Sequence, residues 1–455
     1  MAMVDPVQNL FNESFEAHKR GKLDEAMKGY DALLNRQPYD AMLLYLCGNI
    51  MLQQNNNGRA ITLLEAAVRS DEKNAGAWND LGCALKAEHF EDGARLAWER
   101  CVEVGGRNQG VLNNLATLYA DSGYPEKALP YIEEALVLDP ENPHVHWNKA
   151  LALLTQGNWA EGWVEHEWRY EVNNKNVGLR GYGPLWKGET EGLLVVHGEQ
   201  GLGDEIMFST CIPDLLAEHP DTIIECEKKL VSLFERSFGV PCYPSEKAVK
   251  KAGHKPVFQI GMGSLPIRYR QRDEDFPERA VLKADPELVR QAQELIGNMP
   301  GPHIGYSWMG GTKVTRVQHR SLSGNAMKAI HPKDVGVAIS LQYGKYSDIE
   351  ADSAGLVRLG DWADGTDLDK LAALITVLDE VVSVCTTLIH LTGALGKPAR
   401  ILTPLRASWR YGQKSGPGAM AWYPQHTLHR QTSEGDWTPV LAEITEYLRS
   451  KYAAA

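Results

Sequence analysis

Between Val7 and Asn176 the sequence repeats every 34 residues without an insertion, in five units that begin at Val7, Ala41, Ala75, Gln109 and Pro143. A fixed period of this length restricts the chain to stacked supersecondary units, because one unit cannot bury its apolar face alone. A small residue falls at the eighth position of each unit (Ser14, Gly48, Gly82, Ala116, Ala150) and another at the twentieth (Ala26, Ala60, Ala94, Ala128, Gly162). Two small positions per unit are what paired antiparallel helices need where their backbones come closest, and Leu10, Leu44, Trp78 and Leu112 supply bulk at the fourth position. Pro38 and Pro140 stand where a helix has to stop. The spacing therefore predicts an α-solenoid over residues 7–176.

The pattern resembles the tetratricopeptide repeat. That resemblance implies a curved stack of helix pairs whose concave face takes a peptide or another protein. The fifth unit departs from the others in its aromatic and charged ending: Trp159, Trp163, Glu165, His166, Glu167, Trp168, Arg169 and Tyr170. This ending reads either as a plain capping helix or as a cap that docks on the next domain. Residues 171–191, rich in Asn and Gly, read as a connector.

A chain of 455 residues is long enough for two to four domains. The net charge of −12 and a pI near 5.7 give no overall footprint for nucleic acid or an anionic membrane. Seven cysteines, an odd number with no Cys-x-x-Cys pair, read as reduced thiols. There is no run of about 18 apolar residues and no leader pattern near Met1, so a cytoplasmic protein without a membrane span is expected.

After the connector the pattern changes. Gly192 to Leu215 reads as a strand (Leu193 to Val196), a glycine-rich turn (Gly198 to Gly203) and a helix with Ile206, Met207, Cys211 and Leu215 on one face. Such a turn gathers backbone N–H groups and the positive end of a helix dipole at one point. Asp204 stands there, either as a helix N-cap or as a working carboxylate. Ile206 occupies the place of the third glycine of a dinucleotide fingerprint, so a nicotinamide site is not expected. Further apolar runs occur at Thr222 to Cys226, Val257 to Ile260, His303 to Trp308, Val335 to Leu341, Leu356 to Leu359, Glu380 to Val384 and Ala399 to Leu402. Strands alternating with helices predict parallel sheets, and a restart near Asn298 to Pro302 predicts two lobes, residues 190–300 and 301–455. Ligands of such sheets bind beyond the carboxyl ends of the strands.

Two loops at those ends carry suitable side chains. Met309 to Leu322 brings Lys313, Arg316, His319 and Arg320 just beyond a strand, as a diphosphate would require or as a solvated basic loop. Ser383 to Pro398 places Cys385, Thr386 and Thr387 before a helix whose first turn carries His390. Taken together, GEQGLGDEIMFS, HRSL, SVCTTLIHLTGALGKP, WYPQHTLHRQ and GDW resemble bacterial tetratricopeptide proteins with a domain similar to the heptosyltransferases, which are inverting glycosyltransferases of the two-lobed GT-B type. The likeness covers about residues 192–440. It implies Asp204 as general base, with Gly201, Gly203 and Glu199 shaping the acceptor side of the turn. It also implies that Lys313 and Arg320 hold the donor diphosphate and that Thr386 and His390, with Thr387 beside them, lie against the donor. The family places a carboxylate where this chain has Cys385, a departure that alters the sugar held or removes catalysis.

The chemistry implied is inverting sugar transfer from a nucleotide-sugar donor to a hydroxyl of a protein or glycan, without metal or cofactor. A base takes the acceptor proton and cations stabilise the leaving diphosphate. Glu199 and Glu205 are rival bases. Asp273 with Asp275, and Asp367 with Asp369, have Asp-x-Asp spacing but read as solvated acidic loops rather than metal ligands. Trp362 and the segment Trp409 to Pro424 are candidates to cover a nucleotide or sugar, or simply to pack. Two other functions compete: a repeat scaffold whose transferase-like half has decayed, and a transferase acting on modified DNA.

Overall fold

The computed structural model describes residues 5–172, 178–310, 320–322, 324–332, 334–344, 347–412 and 418–452, and it forms two compact units, Met1–Asn148 and Lys149–Ala455. The repeats are helix pairs: α1 (Pro6–Lys19) with α2 (Leu23–Leu34), α3 (Ala41–Gln53) with α4 (Asn57–Ser70), α5 (Ala75–Ala87) with α6 (Glu91–Glu103), and α7 (Gln109–Asp121) with α8 (Pro125–Leu138). α9 (Pro143–Thr155) crosses the boundary between the units, and α10 (Trp159–His166) lies in the second.

The repeat is written in the caps as much as in the core. Asp40, Asn74, Asn108 and Asn142, each 34 residues after the last, accept the N–H of Leu43, Ala77, Val111 and Val145 at 2.9, 3.0, 3.1 and 3.3 Å. Ala26, Ala60, Ala94 and Ala128 have no exposed surface. A Cβ on Gly48 would stand 2.6 Å from Leu64 Cγ, and one on Gly82 2.6 Å from Trp98 Cδ1. The small positions are thus where one helix lies directly on the side chain of its partner.

The turn between the paired helices repeats too. Gly21, Asn55, His89, Gly123 and Gly157 all have left-handed backbones, with φ between +57° and +81°. Glycine enters this region freely, whereas a side chain there costs about 1–2 kcal/mol.

In the second unit the chain builds one parallel sheet from β1 (Leu194–His197), β2 (Thr222–Glu225), β3 (Cys242–Tyr243) and β4 (Phe258–Gly261), in the order β3-β2-β1-β4. The helices α11 (Leu202–Phe208), α12 (Ile212–Glu218), α13 (Val231–Phe238), α14 (Glu246–Lys251), α15 (Pro266–Tyr269) and α16 (Pro286–Ile296) connect and follow these strands. A second parallel sheet comprises β5 (His303–Ser307), β6 (Val337–Ser340), β7 (Glu380–Val384), β8 (Ala399–Thr403) and β9 (Thr427–Arg430), in the order β6-β5-β7-β8-β9. Its helices are α17 (Gly324–Ile330), α18 (Ser347–Ala354), α19 (Leu368–Val377), α20 (Thr387–Ala394) and α21 (Thr438–Tyr452). Every residue of β1, β2 and β7 is buried, as strands covered on both faces must be.

One strand prediction needs correction, and two strands were not predicted. Leu356 to Leu359 is no strand: only Val357 pairs, as a bridge to Ile339, between Gly355 and Gly360 with φ of +66° and +58°. The short β3 and the edge strand β9 had no apolar run to announce them. The units divide at residue 148 rather than at 176, because α10 packs into the second unit. Trp159 Nε1 donates to Asp273 Oδ1 at 2.6 Å, Trp163 Nε1 donates to the Arg270 carbonyl at 2.8 Å, and Trp163 meets Trp422 edge-on with ring centres 6.1 Å apart.

Relieving the strained turn gives a direct test: His89→Gly is expected to raise the stability of the chain by about 1 kcal/mol. Urea unfolding of the variant beside the parent checks this, and an unchanged or lower midpoint contradicts it.

Candidate functional site

In each sheet the strand order reverses at one place, between β1 and β4 in the first and between β5 and β7 in the second. Loops that leave a reversal in opposite directions part from one another, and that is where open α/β sheets bind ligands. Close contacts tie these loops together. A Cβ on Gly263, after β4, would collide with the carboxylate of Glu199, after β1. A Cβ on Gly310, after β5, would collide with Thr386 Cγ2, after β7. The two reversals also meet: a Cβ on Gly203 would stand 3.1 Å from Thr387 Oγ1 and 3.4 Å from His390 Cδ2, and α11 packs on α20.

The glycine-rich turn is held from beneath. Glu199 is buried and accepts from Arg169 Nε at 2.9 Å, and neither side chain exposes more than 2% of its surface. Arg169 also donates to Ser264 Oγ at 2.6 Å and to Tyr170 Oη at 2.8 Å, and pairs with Glu167. Glu199 is therefore an anchor of the turn rather than a base. Gln200 next to it has φ +68°, and Gly201 is extended with φ −165°, a conformation any residue adopts.

Asp204 is not the N-cap of α11; Gly201 holds that place and Asp204 lies in the first turn. Its carboxylate is free of the helix and ion-paired with Arg410 Nε, the side chains being 19% and 22% exposed. Arg410 comes from the 3-10 turn Trp409–Tyr411 that follows β8. It also donates from Nη2 to Gln200 Oε1 at 3.1 Å and from Nη1 to Ser408 Oγ at 3.0 Å. Residues 206 apart in sequence thus meet at the turn, which is why sequence reasoning singled out Asp204 and missed Arg410 and Arg169.

Glu205 points the other way. It accepts from the Glu227 N–H at 2.8 Å and fills the space a Cβ on Gly198 would need. Burial pushes its carboxyl up to about 7, against the lowering effect of that hydrogen bond.

On the opposing lobe, Thr386 caps α20 by accepting from the Leu388 N–H at 3.3 Å, and Thr387 opens that helix. Arg320 Nε donates to the Gly310 carbonyl at 3.1 Å, which places its guanidinium at the second reversal. Lys313, Arg316 and His319 lie outside the described residues. His390 is buried, 3.5 Å from Tyr411 Oη, and burial with the nearby Arg410 charge takes its imidazole down to about 3. Its ring packs against those of Tyr411 and Tyr423 and is held neutral. Cys385 is equally buried, and burial raises its thiol to about 12 despite Arg320 and Arg430, so it supplies no negative charge where the resembled family has one.

The remaining candidates have structural partners. Asp273 accepts from Trp159 and Asp275 from Arg272; Asp367 caps α19 and Asp369 pairs with Arg236. Among the described residues no cluster of three His, Cys, Asp or Glu has metal-binding geometry, and no helix is long and apolar enough to cross a membrane. A cavity of about 310 Å³ is bordered by Gln342, Asp348, Arg358, Asp361 and Asp364; Asp361 and Ala363, the sequence neighbours of Trp362, line it, whereas Trp362 does not. There Asp348 is taken by Arg358, and Asp361 by Lys370.

The family model of the tetratricopeptide repeat matches residues 16–77, 45–100 and 113–162. The chain carries tetratricopeptide repeats. It is 27% identical over 431 residues to protein FlbA of Caulobacter vibrioides, an alignment that covers 87% of this chain and 70% of that protein and so runs well past the repeats. It is 24% identical over 186 residues to the tetratricopeptide repeat-containing protein trd-1 of Caenorhabditis elegans, and 35% over 77 residues to a peroxisomal targeting signal receptor of Yarrowia lipolytica. These two matches cover 34% and 17% of this chain, and only 24% and 13% of the relatives' own lengths. Among solved structures, MamA from Desulfovibrio magneticus matches 38% of this chain and 95% of its own at 20% identity, with a TM-score of 0.34. A tetratricopeptide protein of Thermus thermophilus matches 37% and 92% at 19% identity, with a TM-score of 0.29.

The buried imidazoles make the second unit acid-sensitive. Burial lowers His197 and His390 to about 3 and His426 to about 4, so the native state stays unprotonated while the unfolded chain binds protons below about 6.5. Stability present above that range is therefore lost as pH falls, by about 2 kcal/mol per histidine between pH 7 and 5. Glu205, raised in the folded state, acts in the opposite sense and offsets roughly one of the three. Urea unfolding followed by tryptophan fluorescence at pH 7 and 5 is expected to show a net loss of a few kcal/mol, made steeper by Glu205→Gln. Equal stability at the two pH values contradicts this.

Proposed function

We propose that this chain is a protein-binding tetratricopeptide protein whose partner lies along the amide-bearing face of α3, α5 and α7. One observation carries the reading. Buried and half-buried side chains at the fifth, sixth and ninth positions of successive units form a polar row with few full charges: Asn49, Asn79, Asp80, Asn113, Asn114 and Thr117. They are pre-oriented by one another. Asn49 Nδ2 donates to Asp80 Oδ2 at 2.6 Å, and Asn148 Nδ2 donates to Asn113 Oδ1 and Thr117 Oγ1, both at 2.9 Å. Amides offer both a donor and an acceptor, which suits the backbone of an extended peptide whatever its side chains. Residues 1–148 hold 22 Asp and Glu against 13 Lys and Arg, so the surrounding field of −9 favours a basic segment.

A second reading is favoured by the position of Asp204 where the two sheet reversals meet. In it the second unit adopts the GT-B arrangement and works as an inverting, metal-independent glycosyltransferase. Asp204 takes the acceptor proton, while Arg320, the hydroxyls of Thr386 and Thr387 and the start of α20 receive the donor diphosphate. The neutral Cys385 weighs toward the binding role, since a charge the resembled family keeps there is missing.

Two measurements separate the readings. On arrays of extended peptides, Lys- and Arg-rich sequences are expected to bind best, and Asn79→Ala with Asn113→Ala is expected to weaken binding by about tenfold with the fold intact. Indifference to both variants removes the binding reading. Release of nucleoside diphosphate from ADP-, UDP- or GDP-sugars, abolished by Asp204→Ala, supports transfer; no release from any of them, with no thermal stabilisation by the donors, leaves the scaffold.

A further inference from the structure

At the sheet reversals Arg410 pairs with Asp204, and Arg320 lies on the Gly310 carbonyl after β5. Arg410 and Arg320 both lie close enough for their charge to be felt at the buried Tyr411 hydroxyl, as does Asp204. Arg430 donates to the carbonyls of Pro404, Tyr411 and Gly412 at 3.4, 2.9 and 2.6 Å, contacts that satisfy its donors without cancelling its charge. Cys385 is buried, and burial outweighs the Arg320 and Arg430 charges and keeps its thiol neutral. An anion arriving here competes with Asp204 for Arg410.

The geometry of the choice is specific. Arg410 holds Asp204 through Nε and Gln200 through Nη2, with its guanidinium 4.7 Å from the centre of the Trp409 ring. Both charged side chains retain about a fifth of their exposure, so water and ligand oxygens reach the pair. An ion pair with this much solvent contact is weak enough to exchange, whereas the planar guanidinium fork matches two phosphate oxygens at once. Asp204 gains no hydrogen bond from the start of α11 that would hold it once Arg410 leaves.

We propose that Arg410 is a partner-exchanging residue. It holds Asp204 in an ion pair until a diphosphate arrives, then turns onto the diphosphate and releases Asp204 as a free carboxylate facing the bound ligand. This rests on the second reading above, in which the site takes a diphosphate. It adds that donor binding and activation of the carboxylate are one event, and that Arg410 is a positioning residue for Asp204 as well as a ligand of the diphosphate.

The test titrates the full chain with inorganic pyrophosphate, ADP, UDP and GDP by calorimetry, for the parent and for Arg410→Gln, Arg410→Lys, Asp204→Asn and the Arg410→Gln/Asp204→Asn pair. Thermal unfolding of each variant verifies its fold. Arg410→Gln is expected to weaken the tightest ligand by roughly tenfold to a hundredfold, with Arg410→Lys in between. Asp204→Asn is expected to tighten it, since the competitor for Arg410 is gone, and the double variant is expected to lose most of that gain. If the parent binds a diphosphate and Arg410→Gln binds it equally well, the exchange is overturned while the diphosphate reading stands. Weaker binding by Asp204→Asn, or the full gain persisting in the double variant, also overturns it. If the parent binds none of the four ligands, the diphosphate reading falls and the exchange falls with it.

Discussion

The turn after β1 is shaped by a charge pair with no access to water. Arg169 and Glu199 meet at 2.9 Å, and Ser264, Tyr170, Glu167 and the His166 carbonyl take up the remaining guanidinium donors. Removing one partner of such a pair leaves an uncompensated buried charge, typically a cost of about 3–5 kcal/mol, so the network behaves as a unit. With Glu199 drawn down, Gln200 takes a left-handed backbone and the next residues carry Asp204 to the surface of the unit. Gly261 and Gly263 have no side chain because the Glu199 carboxylate occupies that volume. The placement of Asp204 is thus a consequence of a carboxylate five residues earlier.

The same anchor explains the odd ending of the fifth repeat. Trp159, Trp163, His166 and Arg169 face the α/β core rather than a sixth helix pair. Trp163 packs edge-on against Trp409 and Trp422, and His166 lies among Trp163, Phe208 and Trp409. Aromatic residues here supply large buried area together with N–H donors that find carbonyl and carboxylate partners.

Much of the architecture was legible because it is periodic or local. The 34-residue spacing gave the helix pairs and their close contacts, since each depends on residues a few positions apart. The alternation of buried strands with helices gave parallel sheets, and the glycine-rich turn was legible as a turn between a strand and a helix, although its N-cap is Gly201 and not Asp204. The functional neighbourhood was less legible. Glu199 and Glu205 share a turn and a chemistry with Asp204, yet one is locked to Arg169 and the other is turned toward Glu227, a sorting made by contacts from 22 to 30 positions away. His390 had the residue type of a ligand, and the core closes over it: its ring packs against Tyr411 and Tyr423, and burial holds it neutral. Leu356 to Leu359 had the composition of a strand, but flanking left-handed glycines leave room for a single bridge.

The sequence by itself determined the repeat, its register, the alternation that makes the α/β unit and the turn that presents a carboxylate. Each of these is encoded by side-chain size, backbone freedom or polarity at short range, where chain connectivity brings the groups together. Only the tertiary structure decided which charges meet: Arg169 with Glu199, Arg410 with Asp204, and no carboxylate at Cys385. Ion pairs are made by groups that converge from separate loops, and their energy is set by the water left around them after the core has closed. Neither the convergence nor the dehydration is written at any one position of the chain.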